Sequence, residues 1–206
     1  MKILFSLILS LFCMSGQAQG FFSGNFILNA YTGSPNILKV SMPTIENIPD
    51  NVMPDYTGLA PSGLRMMYMI TDDVSFGVDL MYGTASASYT TNDSIFFNGN
   101  WEVQSNSYLI KKQRFRPQFR FDLHLGSKDP SFDQYIGLAF GGNLRTREIW
   151  QNNILVNQNP NDENLVVPVS LRTCYGFRYF LDYHFCLGGE LGIGGPIMQL
   201  SLSYRM

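Results

Sequence analysis

Phe115-Arg116-Pro117-Gln118-Phe119-Arg120-Phe121-Asp122-Leu123 alternates apolar and polar residues without interruption. An extended strand turns successive side chains to opposite faces, so one face here carries rings, proline and leucine. The other carries two arginines, a glutamine and an aspartate. A soluble sheet buries its apolar face and wets the other with short polar groups and lysine. An arginine-rich polar face that recurs in strand after strand predicts the reverse: a closed barrel with its apolar face outward and its charge inside.

Six further segments follow the same split and a first, irregular one completes the set, giving Asn25–Tyr31, Ser62–Ile70, Val74–Tyr89, Tyr108–His124, Asp133–Arg147, Val166–Phe180, Phe185–Gly194 and Ile197–Met206 as eight strands. The outward parity collects Leu64, Met66, Tyr68 and Ile70, then Val74, Phe76, Val78, Leu80 and Tyr82, then Ile136, Leu138 and Phe140. The inward parity collects Arg65, Arg114, Arg116, Arg120, Arg145, Arg147, Arg172, Arg178 and Arg205, which are all the arginines of the chain. Asp79, Asp122 and Glu190 share that face, with glycines such as Gly77, Gly137, Gly176 and Gly188 leaving room for long side chains. A soluble ligand-binding barrel would enclose its apolar face instead. Two features strain the pattern. Phe26, Ile27 and Leu28 do not alternate, and Pro117 has no N–H for a ladder, which predicts a bulge there.

The N-terminus points to export. Lys2 precedes an apolar run from Ile3 to Phe12, too short for a spanning helix, and Gly16 and Ala18 occupy the −3 and −1 positions of a cleavage site. Residues 1–18 read as a cleaved signal peptide and residues 19–206 as one barrel domain. No later segment has the roughly 20 apolar residues of a membrane helix. The formal net charge of −2 gives no bulk attraction to nucleic acid.

Connections alternate as well. Thr71–Asp73, Leu125–Ser131 and Leu181–His184 are short, whereas Thr32–Pro61, Thr90–Ser107 and Glu148–Leu165 are long and polar. The link at Gly195-Pro196 is tight. Outer-membrane barrels place short turns in the periplasm and long loops outside. The final stretch Met198–Met206 alternates to its last residue, keeps Tyr204 third from the end, and departs from a terminal aromatic at Met206. Taken with the export signal and the loop pattern, the chain resembles the small eight-stranded outer-membrane barrels of the OmpA/OmpX type, closest to the β-barrel domain widespread in Bacteroidetes. That resemblance implies contact with outer-membrane lipid and lipopolysaccharide in a Gram-negative envelope. It also implies delivery to the barrel assembly machinery through the last strand. It carries little chemistry.

The expected interior set is Arg65, Asp79, Arg114, Arg116, Arg120, Asp122, Arg145, Arg172, Arg178, Glu190 and Arg205. An eight-stranded barrel is only just wide enough for its own side chains, so this set reads first as an ion-paired plug. A narrow channel or anion-binding lumen is the alternative. Arginine outnumbers acid on that face. The missing charge could come from Glu46, Asp50, Asp55, Glu102, Asp162 or Glu163 dipping inward, or from small anions at the mouth.

Some eight-stranded outer-membrane barrels modify lipid A at the outer rim with a histidine and a serine or carboxylate. His124 and His184 both fall beside short turns, at the opposite end, and no serine is specified; no enzyme is expected. Cys174 and Cys186 fall about four residues out of register if position 178 faces 186, which predicts free thiols. No His/Cys spacing suggests a metal, and the Gly188–Gly195 stretch lacks the helix a nucleotide loop needs, so no cofactor is expected. Tyr56, Phe96, Phe97, Trp101 and Trp150 on the long connections are candidates for contact with an envelope protein partner, for a lid packed on itself, or for strands extended above the membrane.

Overall fold

The computed structural model describes residues 22–46, 48, 52–97, 100–126, 131–159 and 168–206. The segment read as a signal peptide lies outside these. The elements in order are β1 (Phe26–Ser34), α1 (Ile37–Ile45), β2 (Asp55–Thr57), β3 (Ser62–Met69), β4 (Val74–Phe97), β5 (Asn100–His124), β6 (Phe132–Gly142), β7 (Leu144–Gln151), β8 (Ile154–Asn159), β9 (Val169–Phe180), β10 (Phe185–Ile193) and β11 (Met198–Arg205).

Eight of these strands close a ring. Neighbours run β4-β3-β1-β11-β10-β9-β6-β5, and β5 returns to β4. Every pairing is antiparallel, and closure comes from the two ends of the described chain, with Ile27 opposite Arg205 and Ser34 opposite Met198. Closure leaves no strand edge within the ring. The all-β, eight-stranded barrel expected from the alternation is therefore the fold.

Side-chain placement follows parity around the ring. β3 reads exposed-buried from Leu64 to Met69, and β9 does so from Val169 to Arg178. On the outward face Leu200, Leu171 and Ile193 are about 70 % exposed to solvent, at 70 %, 69 % and 71 %. The first strand also alternates in space: Phe26 and Leu28 face out, whereas Ile27 is fully buried. Its irregular composition has a simple cause. Ile27 joins Met67, Met69, Phe180 and Cys186 in an apolar cluster on the inward face, at the end carrying the short turns.

At the opposite end the barrel continues upward. The two spans read as loops 2 and 3 are largely paired strand. β4 and β5 stay in register from Val74 opposite Leu123 to Phe97 opposite Asn100. β7 and β8 form a second hairpin, turning at Asn152-Asn153 with φ of 50° and 64°. Positive φ at both central residues is the geometry a two-residue hairpin turn needs, and asparagine tolerates it. Long connection 1 contains α1, capped by the Asn36 side chain accepting from Lys39 N–H, and the short strand β2 paired with β4. Met42 of α1 packs on Ala85, Ala87 and Ile110, so the helix lies across the mouth as a lid.

Pro117 sits at a gap, not at the expected bulge. β5 pairs β6 through Gln118–Gly141 and β7 through Phe115–Leu144, and both sides keep the same register. Asn143, between β6 and β7, turns its N–H to the Pro168 carbonyl at 3.0 Å. A residue without a donor is thus placed where the ladder is interrupted. The β9–β10 hairpin is also two residues from expectation, with Phe180, not Arg178, facing Cys186. Cys174 faces Gly192, and both described cysteines are free and buried, as expected.

Candidate functional site

Inward parity on eight strands brings the expected interior residues to one axis, and strand register decides which of them meet. Arg65 stands opposite Asp79, and Asp133 opposite Arg178. Glycines face the bulk: a Cβ on Gly137 would lie 2.4 Å from Arg120 Nη2, and one on Gly176 would lie 2.2 Å from the Tyr135 ring. Only a residue without a side chain fits at either place.

At mid-height the charges form a continuous network. Arg65 Nε donates to Asp79 Oδ2 at 3.1 Å, and its terminal nitrogens reach Glu190. Arg120 Nε donates to Asp122 Oδ1 at 2.6 Å, and its Nη2 donates to Glu190 Oε1 at 2.9 Å. Arg178 bridges Asp122 and Asp133 at 3.2 and 3.1 Å. Arg172 reaches Glu190 at 3.4 Å. The Tyr31 hydroxyl donates to Asp79 and the Tyr135 hydroxyl to Glu190, while the Arg178 guanidinium lies 4.0 Å from the Tyr135 ring centroid. Four arginines here meet four carboxylates. Arg65, Arg120, Arg178 and Tyr135 are each under 2 % exposed, so side chains fill the cross-section at this level. Burying these ions costs solvation that only mutual pairing offsets, so the network is complete or it is destabilising.

Four of the expected interior arginines are not in it. Arg114 donates to Asn143 Oδ1 at 2.7 Å and Arg116 to the Gly194 carbonyl at 2.6 Å. Among the described residues, neither they nor Arg145 pairs with a carboxylate; all three lie above the network. Arg205 lies below it, stacked over the Tyr183 and Phe180 rings at 4.2 and 5.3 Å. Parity gives a residue's face but carries no information about height, and height selects the partner.

Sequence reasoning missed one constellation. His124 Nδ1 is 2.8 Å from Asp133 Oδ1, and its Nε2 is 3.1 Å from Ser75 Oγ. Asp122, two residues from His124 on the same face, instead serves Arg120 and Arg178. Serine, imidazole and carboxylate in this order are the elements of an activated nucleophile. Here Ser75 is fully buried, and Asp133 gives its second oxygen to Arg178, so as folded the group is a hydrogen-bonded relay within the packed lumen. His184, on the neighbouring turn, is exposed and stacks on Tyr204 with ring centroids 5.6 Å apart.

The lid brings one of the expected loop acids inward. Glu46, at the C-terminal cap of α1, is bound by Lys112 and by Arg147, the latter through Nη2 at 2.6 Å. Burial raises its carboxyl pKa, but hydrogen bonds from Arg147 and Lys112 outweigh that and hold it below the usual carboxylate range. Asp55 and Glu102 are exposed and do not dip inward, while Asp50, Asp162 and Glu163 lie outside the described residues. Of the aromatic loop candidates, Tyr56 packs against the lid cluster and Trp150 is half-buried, its Nε1 donating to Glu148. Phe96 and Trp101 remain exposed at the tip, in tilted contact at 5.3 Å. The Phe97 side chain lies outside the described residues. No group of metal-ligating side chains occurs among the described residues.

No protein-family model matches the chain, and no curated protein matches it. Among solved structures, the chain is similar to the crystal structure of the outer membrane protein OprG from Pseudomonas aeruginosa. The identity is 14 %, the alignment covers 92 % of this chain and 99 % of that one, and the TM-score is 0.41. The ring described above rests on its own strand pairings and not on that distant likeness.

Proposed function

We propose that this chain is an integral outer-membrane protein of a Gram-negative envelope, exported by residues 1–18, whose lumen is sealed and whose contacts are made through its outer hairpins. The observation that carries the reading is the inversion of the barrel: an apolar belt exposed on every strand around a bore of buried, paired charge. In water such a belt would drive aggregation; in hydrocarbon it is the solvated surface. On β5 the belt runs from Phe115 to Leu123, about 27 Å along the strand at about 3.4 Å per residue. Above it the outward positions Gln113 and Lys111 turn polar. Short turns then face the periplasm, and α1 with the β4–β5 and β7–β8 hairpins faces outside. The alternating last strand suits recognition by the barrel assembly machinery. The kinship with OmpA/OmpX-type and Bacteroidetes barrels belongs to this same reading.

The work of the protein is structural or interactive, without catalysis. Phe96 and Trp101 at the tip supply exposed rings for an envelope partner, and a filled mid-section does not suit a conducting pore. The test combines fractionation, conductance and deletion. The processed protein should resist urea extraction from outer membranes and migrate heat-modifiably. It should show no steady openings in planar bilayers, and it should lose its co-purifying partner when residues 91–106 are deleted. Solubility without detergent would overturn the membrane assignment. Steady anion-selective openings abolished in R116Q/R120Q would overturn the sealed lumen, and partner binding retained after the deletion would overturn the role of the hairpin.

A further inference from the structure

Above the plug, Arg114, Arg116 and Arg145 meet no carboxylate among the described residues. Arg114 and Arg145 stand directly opposite each other in the β5–β7 ladder, and Arg116 follows on the same face. Like charges placed opposite one another in a sheet are destabilising. Arginine cannot relieve the repulsion by giving up its proton, as a lysine or histidine would. Arg116 is 6 % exposed, and its Nε has no partner; the Nε atoms of Arg145 and Arg172 are likewise buried and unpartnered. The charges of Arg145 and Arg172 both act on Arg116. A buried guanidinium left this way is costly unless something negative completes its shell.

A cavity of about 30 Å³ lies against this cluster. Arg114 and Arg116 line one side, Gly195 and Pro196 another, and Asn36 and Ile37 of the first turn of α1 the roof. Arg172 also reaches the Gly195 backbone: a Cβ there would lie 2.4 Å from Arg172 Nη1 and 3.5 Å from Arg116 Nη1. One water needs about 10–15 Å³ measured this way, so the space suits a single solute of one to three heavy atoms. The positive end of a helix in the roof has the same sign preference as the arginines. The remaining wall is apolar, which strengthens attraction for one charge and penalises a large, heavily hydrated anion.

We propose that the cavity between Arg114, Arg116 and the first turn of α1 binds a small monoanion, a halide or a single carboxylate group, that neutralises the upper lumen. The site depends on the sealed lumen beneath it and not on the membrane setting. Arg116 supplies the fork, Arg114 and Arg172 add charge, and α1 closes the site from above. Since α1 is itself tied to β5 and β7 by the Glu46 ion pairs, anion binding and lid closure reinforce each other.

The test uses the full processed protein in detergent, with chloride or formate titrated against gluconate, too bulky for the cavity, at fixed ionic strength. Chloride binding is read directly by ³⁵Cl line broadening, and stability by the urea midpoint. The proposal expects saturable broadening that formate displaces, a midpoint raised by chloride or formate but not gluconate, and at least a tenfold loss of affinity in R114Q/R116Q. R116K keeps the charge, guards against a folding failure, and is expected to weaken formate more than chloride. Equal response to all three anions would mean simple screening and would overturn the site. So would a wild-type protein that ignores anions while D162N/E163Q responds, since a loop carboxylate would then be the occupant. Failure of the broadening while the protein remains extraction-resistant would sink this proposal and leave the membrane reading standing.

Discussion

Replacing Glu190 with glutamine keeps the shape of the side chain and removes one charge from the level where four carboxylates meet four guanidinium groups. Glu190 accepts from Arg65, Arg120, Arg172 and Tyr135. The amide oxygen of glutamine preserves contacts on one side, while its NH₂ faces arginine donors on the other. Losing two charge-assisted hydrogen bonds, each worth about 1.5–3 kcal/mol, agrees with the about 3–5 kcal/mol usual for unpairing a buried ion. Arg172 is the most loosely held of the three arginines, at 3.4 Å. E190Q/R172Q restores neutrality and should recover at least about 1 kcal/mol, within the range of couplings between contacting groups. Reversible urea unfolding in lipid vesicles, followed by heat-modifiable migration, measures both variants. A cost for E190Q below about 1 kcal/mol, with nothing regained in the double variant, would mean that water already shares this level, and the packed-plug account would fail.

Leu200→Arg, on the outward face at 70 % exposure, should destabilise the protein in vesicles by about 2–4 kcal/mol, whereas Phe96→Arg at the tip should cost almost nothing. Equal costs in the same urea titration would contradict the belt. For Glu46 the folded pKa is depressed, so its contribution is present above the ordinary carboxylate value of about 4.3 and is lost as pH falls through the folded value. Amide exchange in α1 should therefore quicken on acidification beyond its intrinsic pH dependence. E46Q should show fast exchange at every pH, and an unchanged acid response in that variant would refute the link.

The ring was legible because parity is a strict code. Arg65, Arg120, Arg178 and Arg205 could be placed inside from spacing alone, and the closed fold followed. What parity omits is height and register. It could not separate Arg116, which faces a cavity, from Arg120, which faces three carboxylates four residues further on. The Ser75–His124–Asp133 relay joins three strands and emerges only once β4, β5 and β6 are in register. The outer hairpins are one of several readings of the sequence because Thr90–Ser107 is rich in threonine, serine and asparagine, which alternate weakly in polarity. α1 was hidden because Pro43 lies inside it, in a short helix stabilised mainly by packing of Met42 against the mouth. Ile27 shows the converse limit: an inward apolar residue breaks the rule of a polar bore because it packs into a local apolar cluster.

The interruption at Asn143 carries a lesson about inheritance. Since Gln118–Gly141 and Phe115–Leu144 share one register across the break, the upper blade can lean or be exchanged without unzipping the staves below. A foreign peptide spliced between Asn152 and Asn153 would be held aloft on β7 and β8 with its anchorage undisturbed. The molecule is divided into a drum and a crest, and the break at Asn143 is the seam between them.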